Sequence, residues 1–169
     1  SPASRGTLLV ANHVSWLDIP ILAGATGCAF ISKAEVRHHW FFRWIAHQND
    51  TIYIDRAALR SLHGQVAALS DGLKGDQPLA LFPEGTVGDG GRLLPFKPSL
   101  LSAVAPPPEG VVIRPAALDY GSLGPMIGWG RGEPGLANFM RVLGRRGRFP
   151  VTVHLLGAIP PDPDRKRVA

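Results

Sequence analysis

Six short apolar runs punctuate the chain: TLLVA (7–11), CAFIS (28–32), TIYI (51–54), PLALF (78–82), VVIRPAAL (111–118) and VTVHLLG (151–157). Several are apolar throughout instead of alternating, the pattern of strands covered on both faces. Between them helical periodicity returns, most plainly in Leu59, Leu62, Val66, Leu69 and Leu73, spaced by three and four and stopped by Gly75. Strands alternating with helices form βαβ units, so the chain predicts an α/β fold, a mostly parallel central sheet covered by helices. No internal repeat or linker divides the 169 residues, which suit one domain over 1–169, burying roughly 70% of the unfolded surface. The Pro-rich stretch 105–110 reads as a rigid loop, and 119–135 as a long glycine-rich one.

In such a sheet functional residues gather in loops past the carboxyl ends of the strands. Here those positions carry Asn12, His13 and Asp18 after the first strand and Lys33 after the second. Asp55 and Arg56 follow the third, and Pro83, Glu84 and Gly85 the fourth, while Pro115 interrupts the 111–118 run. If the strands are parallel, these tips converge on one pocket.

Each motif has a structural reading beside a chemical one. Ser15 followed three residues later by Asp18 matches a helix-capping pattern. Alternatively, Asp18 points back to one nitrogen of His13, fixes its tautomer and leaves the other nitrogen as a base toward a hydroxyl. A single carboxylate serving both sets of donors would satisfy each only in part. Phe82-Pro83-Glu84-Gly85-Thr86 suits a type I turn after a buried strand; an acid at its tip could also bind substrate hydroxyls, and its N–H groups a phosphate. Asp55-Arg56 reads as a surface ion pair or a helix entry, or as a forked phosphate binder. Lys33 and Lys97 are phosphate candidates of the same kind, against the ordinary reading of solvated lysines. His38, His39, His47, His63 and His154 have no partners at metal-ligand spacing, so no metal site is expected. Cys28 suits core packing.

The single cysteine excludes an internal disulfide and a zinc cluster, and it suits a reducing compartment. No stretch approaches about 20 consecutive apolar residues, so no bilayer-spanning helix is expected within these residues. The chain starts with Ser-Pro and enters a strand almost at once, so upstream sequence is expected to be missing. Residues 1–130 balance ten basic against ten acidic side chains; from Arg131 onward there are eight against three, so the whole excess of +5 lies in the last quarter. Such a surface suits an anionic lipid, a nucleic acid or simple solubility. Two stretches could meet lipid: the aromatic run 40–45 and the apolar stripe of Leu136, Phe139, Met140 and Leu143. For each, core packing is the alternative.

Four blocks taken in order resemble the glycerolipid acyltransferase family, the 1-acylglycerol-3-phosphate O-acyltransferases and their relatives. They are Asn12-His13-(four residues)-Asp18, Ile54-Asp55-Arg56, Phe82-Pro83-Glu84-Gly85-Thr86 and Val112-Ile113-Arg114-Pro115. Ser32-Lys33-Ala34-Glu35 and Leu94-Pro95-Phe96-Lys97 look like connecting segments of bacterial members. The resemblance implies a glycerol-3-phosphate acyltransferase-like fold and an acyl transfer from acyl-CoA or acyl carrier protein to the free hydroxyl of a lyso-lipid. In that reading His13 is the general base and Asp18 orients it. Arg56, Glu84, Gly85 and Thr86 form the acceptor site, with Lys33 and Lys97 also on substrate, and Pro115 shapes the pocket wall. No cofactor is implied beyond the thioester co-substrate, and no nucleic acid. The implied location is the cytoplasmic face of a bacterial inner membrane, on anionic lipid, with an amino-terminal membrane segment upstream.

The expected acceptor is 1-acylglycerol-3-phosphate, giving phosphatidic acid. Val87, followed by Gly88-Asp89-Gly90-Gly91, stands where family members often carry arginine or serine, which leaves room for lyso-ornithine lipid. A thioester or lipid hydrolase using the same pair on water and a non-catalytic lipid-binding module remain alternatives.

Overall fold

A computed structural model of the chain describes residues 6–33, 52–54, 61–73, 75–130 and 132–169. Six strands form one sheet: β1 (Thr7–Ala11), β2 (Ala29–Lys33), β3 (Ile52–Ile54), β4 (Leu79–Leu81), β5 (Val112–Asp119) and β6 (Thr152–Leu155), in the order β3-β2-β4-β1-β5-β6. All adjacent pairs are parallel except β5 with β6, so the carboxyl ends of β1 to β5 share one edge.

β1 lies in the interior of the sheet and every one of its residues is buried. Its alternate side chains enter two different cores: Leu9 and Ala11 pack with Leu22, Phe30 and Ile127 on one face, and Leu8 and Val10 with Leu69, Leu79 and Leu101 on the other. That two-sided burial is why the run is apolar throughout. Helix α1 (Asp18–Thr26) covers the first face and stops at Gly27, whose left-handed φ of 69° lets its N–H cap the carbonyl of Ala23. Helix α2 (Leu62–Leu73) covers the second with Leu69 and Leu73, while Val66 stays exposed.

One expectation needs correction, and two others are sharpened. The stretch 119–135 is not one loop: it holds a 3₁₀ turn (Gly121–Leu123) and the short helix α3 (Gly124–Ile127). Two of its glycines, Gly124 and Gly128, serve close packing against the 89–90 backbone. A Cβ on Gly90 would lie 1.9 Å from the carbonyl oxygen of Gly124, and one on Gly124 would lie 2.4 Å from that of Gly90. Pro115 falls within its strand, as the run 111–118 implies. It sits inside β5 opposite Val10, and its carbonyl accepts from Leu156 N–H where the β5–β6 ladder finishes. A residue's N–H and C=O point to the same side of a strand, so the missing donor falls at that ladder end, where it costs least. Finally, the stripe on helix α4 (Gly135–Leu143) divides: Phe139 packs inward, but Leu136, Met140 and Leu143 are exposed.

Candidate active site

The turn 12–18 is built from backbone groups that the end of β1 leaves without ladder partners. Asn12 continues the pairing with its side chain, donating to the carbonyl of Leu118 at 3.1 Å and accepting from the Leu118 N–H at 2.8 Å. The His13 N–H, next along, donates to Glu84 Oε1 at 2.7 Å, and the His13 carbonyl accepts from Gly88 N–H at 2.8 Å. The histidine backbone is therefore clamped from both sides before its side chain makes any contact.

Its ring is clamped too. Nδ1 lies 2.9 Å from Asp18 Oδ2, and one face stacks on Phe82 with ring centroids 4.1 Å apart and planes 12° from parallel. Phe82 stacks in turn on Phe30. Asp18 is the first residue of α1 and is completely buried. Besides the imidazole, Oδ2 accepts from the N–H groups of Val14 at 2.6 Å and Ser15 at 2.8 Å, and Oδ1 accepts from the Tyr120 hydroxyl at 2.5 Å. Four donors converge on one carboxylate, which is what a fully buried ionised group requires. Ser15 Oγ accepts from Leu17 N–H at 3.3 Å. The N-cap of α1 is Leu17, which has no side-chain cap, so Asp18 does not serve as the helix cap; its Oδ2 holds the Val14 and Ser15 N–H groups of the turn together with the imidazole.

A carboxylate that only accepts obliges Nδ1 to carry the proton, leaving the lone pair on Nε2. The His13 side chain is 14% exposed and lines a cleft of about 180 Å³ with Asn12, Glu84, Arg92, Asp119 and Tyr120. The geometry equips the site to take a proton from a hydroxyl held in that cleft.

Phe82 to Gly85 form the expected turn, closed by the Gly85 N–H on the Phe82 carbonyl at 3.1 Å. Glu84 behaves differently from an exposed acid at a turn tip. It is buried, and its two oxygens accept from the N–H groups of His13 and, at 3.3 Å, Leu94, tying β4's turn to β1's. Burial pushes its carboxyl above the usual range, and those two N–H donors oppose the rise. Gly85, with φ at 67°, passes beneath Lys97. Thr86 and Lys97 line a second cleft of about 620 Å³, which shares Glu84 with the first. Lys33 closes β2 opposite Ile54. Pro115, the expected wall residue, sits in β5 opposite Val10 and is not among the residues lining these two clefts. Arg56 and the aromatic run 40–45 lie outside the described residues.

Two contributors had escaped the sequence reading. Tyr120, one residue past β5, is buried, and its hydroxyl is held protonated by burial and by the Asp18 carboxylate beside it, which keeps it a donor. The glycine-rich segment after Thr86 closes the cleft: Gly90 and Gly91 line it, and Gly88 bridges the His13 carbonyl to Trp129 N–H. Trp16 is also accounted for, packing on Phe139 with centroids 5.2 Å apart and so joining the turn to α4.

A mostly parallel sheet with a carboxylate-braced histidine at the carboxyl end of an interior strand is an arrangement that can support general-base chemistry. The family model described as Acyltransferase matches residues 1–119, and the chain belongs to that family. It is 34% identical over 169 residues to the lyso-ornithine lipid O-acyltransferase of Rhodobacter capsulatus, covering 95% of this chain and 61% of that protein. To the protein of the same name from Pseudomonas aeruginosa it is 36% identical over 160 residues, 90% of this chain and 59% of that one. The 1-acyl-sn-glycerol-3-phosphate acyltransferase of Neisseria meningitidis is 31% identical over 116 residues, 69% of this chain and 45% of that one. The crystal structure of the 1-acyl-sn-glycerophosphate acyltransferase PlsC from Thermotoga maritima superposes with a TM-score of 0.56 at 26% identity, covering 99% of this chain and 63% of that one. The chain therefore spans less than two thirds of the length of each of these relatives.

Proposed function

We propose that the protein transfers a fatty acyl group from an acyl thioester, acyl-CoA or acyl carrier protein, to the free hydroxyl of a lyso-lipid, with His13 as general base and Asp18 as its positioning residue. The observation that carries this is the 2.9 Å contact between Nδ1 and a carboxylate already fixed by three other donors. The thioester is activated and its thiolate leaves without a strong acid, so the protein's task is to make a nucleophile. Nε2 takes the hydroxyl proton as the oxygen attacks the thioester carbonyl. The resulting imidazolium is stabilised by Asp18, and collapse of the tetrahedral intermediate expels the thiolate. No serine or cysteine intermediate is required. Ser15, the nearest hydroxyl in sequence, is buried and engaged with the Leu17 N–H.

Two acceptors fit the reading. 1-Acylglycerol-3-phosphate is the acceptor expected from the family motifs. Lyso-ornithine lipid is favoured by the Rhodobacter and Pseudomonas relatives, which carry that name at 34% and 36% identity along nine tenths or more of the chain, against 26% for the Thermotoga 1-acyl-sn-glycerophosphate acyltransferase that also spans it. The departure at Val87 to Gly91 points the same way. The reaction is placed by this reading at the cytoplasmic face of a bacterial inner membrane. The test is acyl-CoA consumption with lysophosphatidic acid, glycerol 3-phosphate, lyso-ornithine lipid or no acceptor. Esterified product from a lyso-lipid supports acyl transfer and identifies the acceptor; free fatty acid released at the same rate without acceptor identifies a hydrolase instead.

A further inference from the structure

We propose that the larger cleft is a phosphate-recognition site, in which Lys97, Arg165 and Lys166 hold the phosphate groups carried by one of the two substrates. The identity of that substrate rests on the acyl-transfer reading; the site itself rests on the following geometry. Lys97, Arg165 and Lys166 reach this one cleft from segments nearly 70 residues apart, and Thr86 and Ser99 add hydroxyls. Leu94, Pro95, Phe96 and Pro98 supply an apolar wall beside the cations. That is the pairing needed by a ligand with a phosphate end and a less polar arm.

The short segment that carries the carboxyl-terminal cations is anchored. Arg165 Nη1 donates to Ser102 Oγ at 2.9 Å, a neutral partner, and among the described residues no carboxylate pairs with its guanidinium. Asp164 caps the terminal helix α5 (Arg165–Val168) through Lys166 N–H, and Val168 packs into the second core. Arg167 is paired with Asp162 at 3.1 Å and Asp164 at 3.8 Å. Among the described residues no carboxylate pairs with the ammonium groups of Lys97 or Lys166. Lys97 is aimed by a glycine: a Cβ at Gly85 would approach Lys97 Nζ to 3.0 Å and Leu100 Cδ1 to 3.2 Å. The ammonium thus lies against the turn whose Glu84 holds the His13 N–H. A phosphate bound there is tethered beside the reacting histidine without touching it, so the cations act on affinity and orientation while the chemistry proceeds in the smaller cleft.

The phosphates have two possible sources, the CoA moiety of the donor and a phosphorylated headgroup on the acceptor. Calorimetric titration of the 169-residue chain with CoA, dephospho-CoA, pantetheine and sn-glycerol 3-phosphate distinguishes them. In the exposed double variant Lys97→Met/Lys166→Glu, CoA is expected to bind about ten-fold or more weakly, as it would at raised salt, with pantetheine unchanged. A loss confined to glycerol 3-phosphate assigns the same site to the acceptor. If neither phosphate compound binds the unaltered chain, or if both bind the folded variant as well as before, the proposal is overturned. These titrations require no turnover, and His13→Ala should leave them unchanged. A chain that binds CoA through these cations but transfers no acyl group would therefore contradict the reaction and not the site.

Discussion

Tyr120 and Asp18 stand 102 residues apart in the chain, yet the tyrosine hydroxyl donates to the aspartate's Oδ1 at 2.5 Å. The contact joins the end of β5 to the first residue of α1, and it completes the shell of donors that holds a buried carboxylate under His13.

Tyr120→Phe removes that donor and leaves the apolar packing almost intact. Hydrogen bonds to charged groups contribute about 1.5–3 kcal/mol, so urea denaturation is expected to show a stability loss in that range. Acyl transfer should fall while the fold persists, because Asp18 keeps its contacts to Val14, Ser15 and His13. Unchanged stability and activity would mean the hydroxyl contributes nothing to the site.

Gly90 and Gly124 meet backbone to backbone, and Gly90 has φ at 77°. Alanine at Gly90 adds both the left-handed strain and an overlap with a carbonyl, so a loss of at least about 2 kcal/mol is expected. Gly91→Ala, whose Cβ would meet only Asp89 Oδ1 at 3.4 Å, is the control and should stay within about 0.5 kcal/mol. Thermal unfolding of the two variants side by side makes the comparison.

Glu133 ties helix α4 to the segment that precedes it. Its carboxylate receives Arg141 Nε at 2.8 Å, Arg141 Nη2 at 2.9 Å and Asn138 Nδ2 at 2.9 Å, and Arg141 also donates to the carbonyls of Met126 and Gly128. The Arg141 guanidinium, with Asn138, lowers the Glu133 carboxyl from 4.5 to about 2. A folded value below the unfolded one means that the unfolded chain binds the proton first, so this stabilisation is complete above pH 4.5 and lost as pH falls toward 2. The stability difference between the unaltered chain and Glu133→Gln should therefore shrink across that window, measured by denaturation at a series of pH values. A difference that is constant from pH 5 to pH 2 would remove the ionised carboxylate from the account.

The sheet was legible because its interior strand β1 is buried along its whole length and feeds cores on both faces, which leaves no charged residue to blur the run. The pairing of His13 with Asp18 was legible as a spacing, but its company was not. Tyr120 reaches Asp18 across sheet neighbours, a relationship that no local pattern encodes. Glu84 read as an exposed acid because a turn usually exposes its tip; the unpaired His13 N–H at the end of β1 draws it inward instead. The glycines near 90 and 124 looked like loop markers, since sequence does not distinguish a glycine needed for flexibility from one needed for close approach. Pro115 interrupts the apolar run without breaking its strand, and the reason was not legible because its position at the end of a ladder depends on where β6 stops.

The central claim is that His13 removes the proton from the acceptor hydroxyl. The most direct measurement is the rate of acyl transfer from acyl-CoA to the lyso-lipid acceptor by His13→Ala, with circular dichroism melting to establish that the variant folds. The expected result is a fall of about 10²- to 10⁴-fold at unchanged secondary structure. Undiminished transfer by a folded His13→Ala chain would contradict the account.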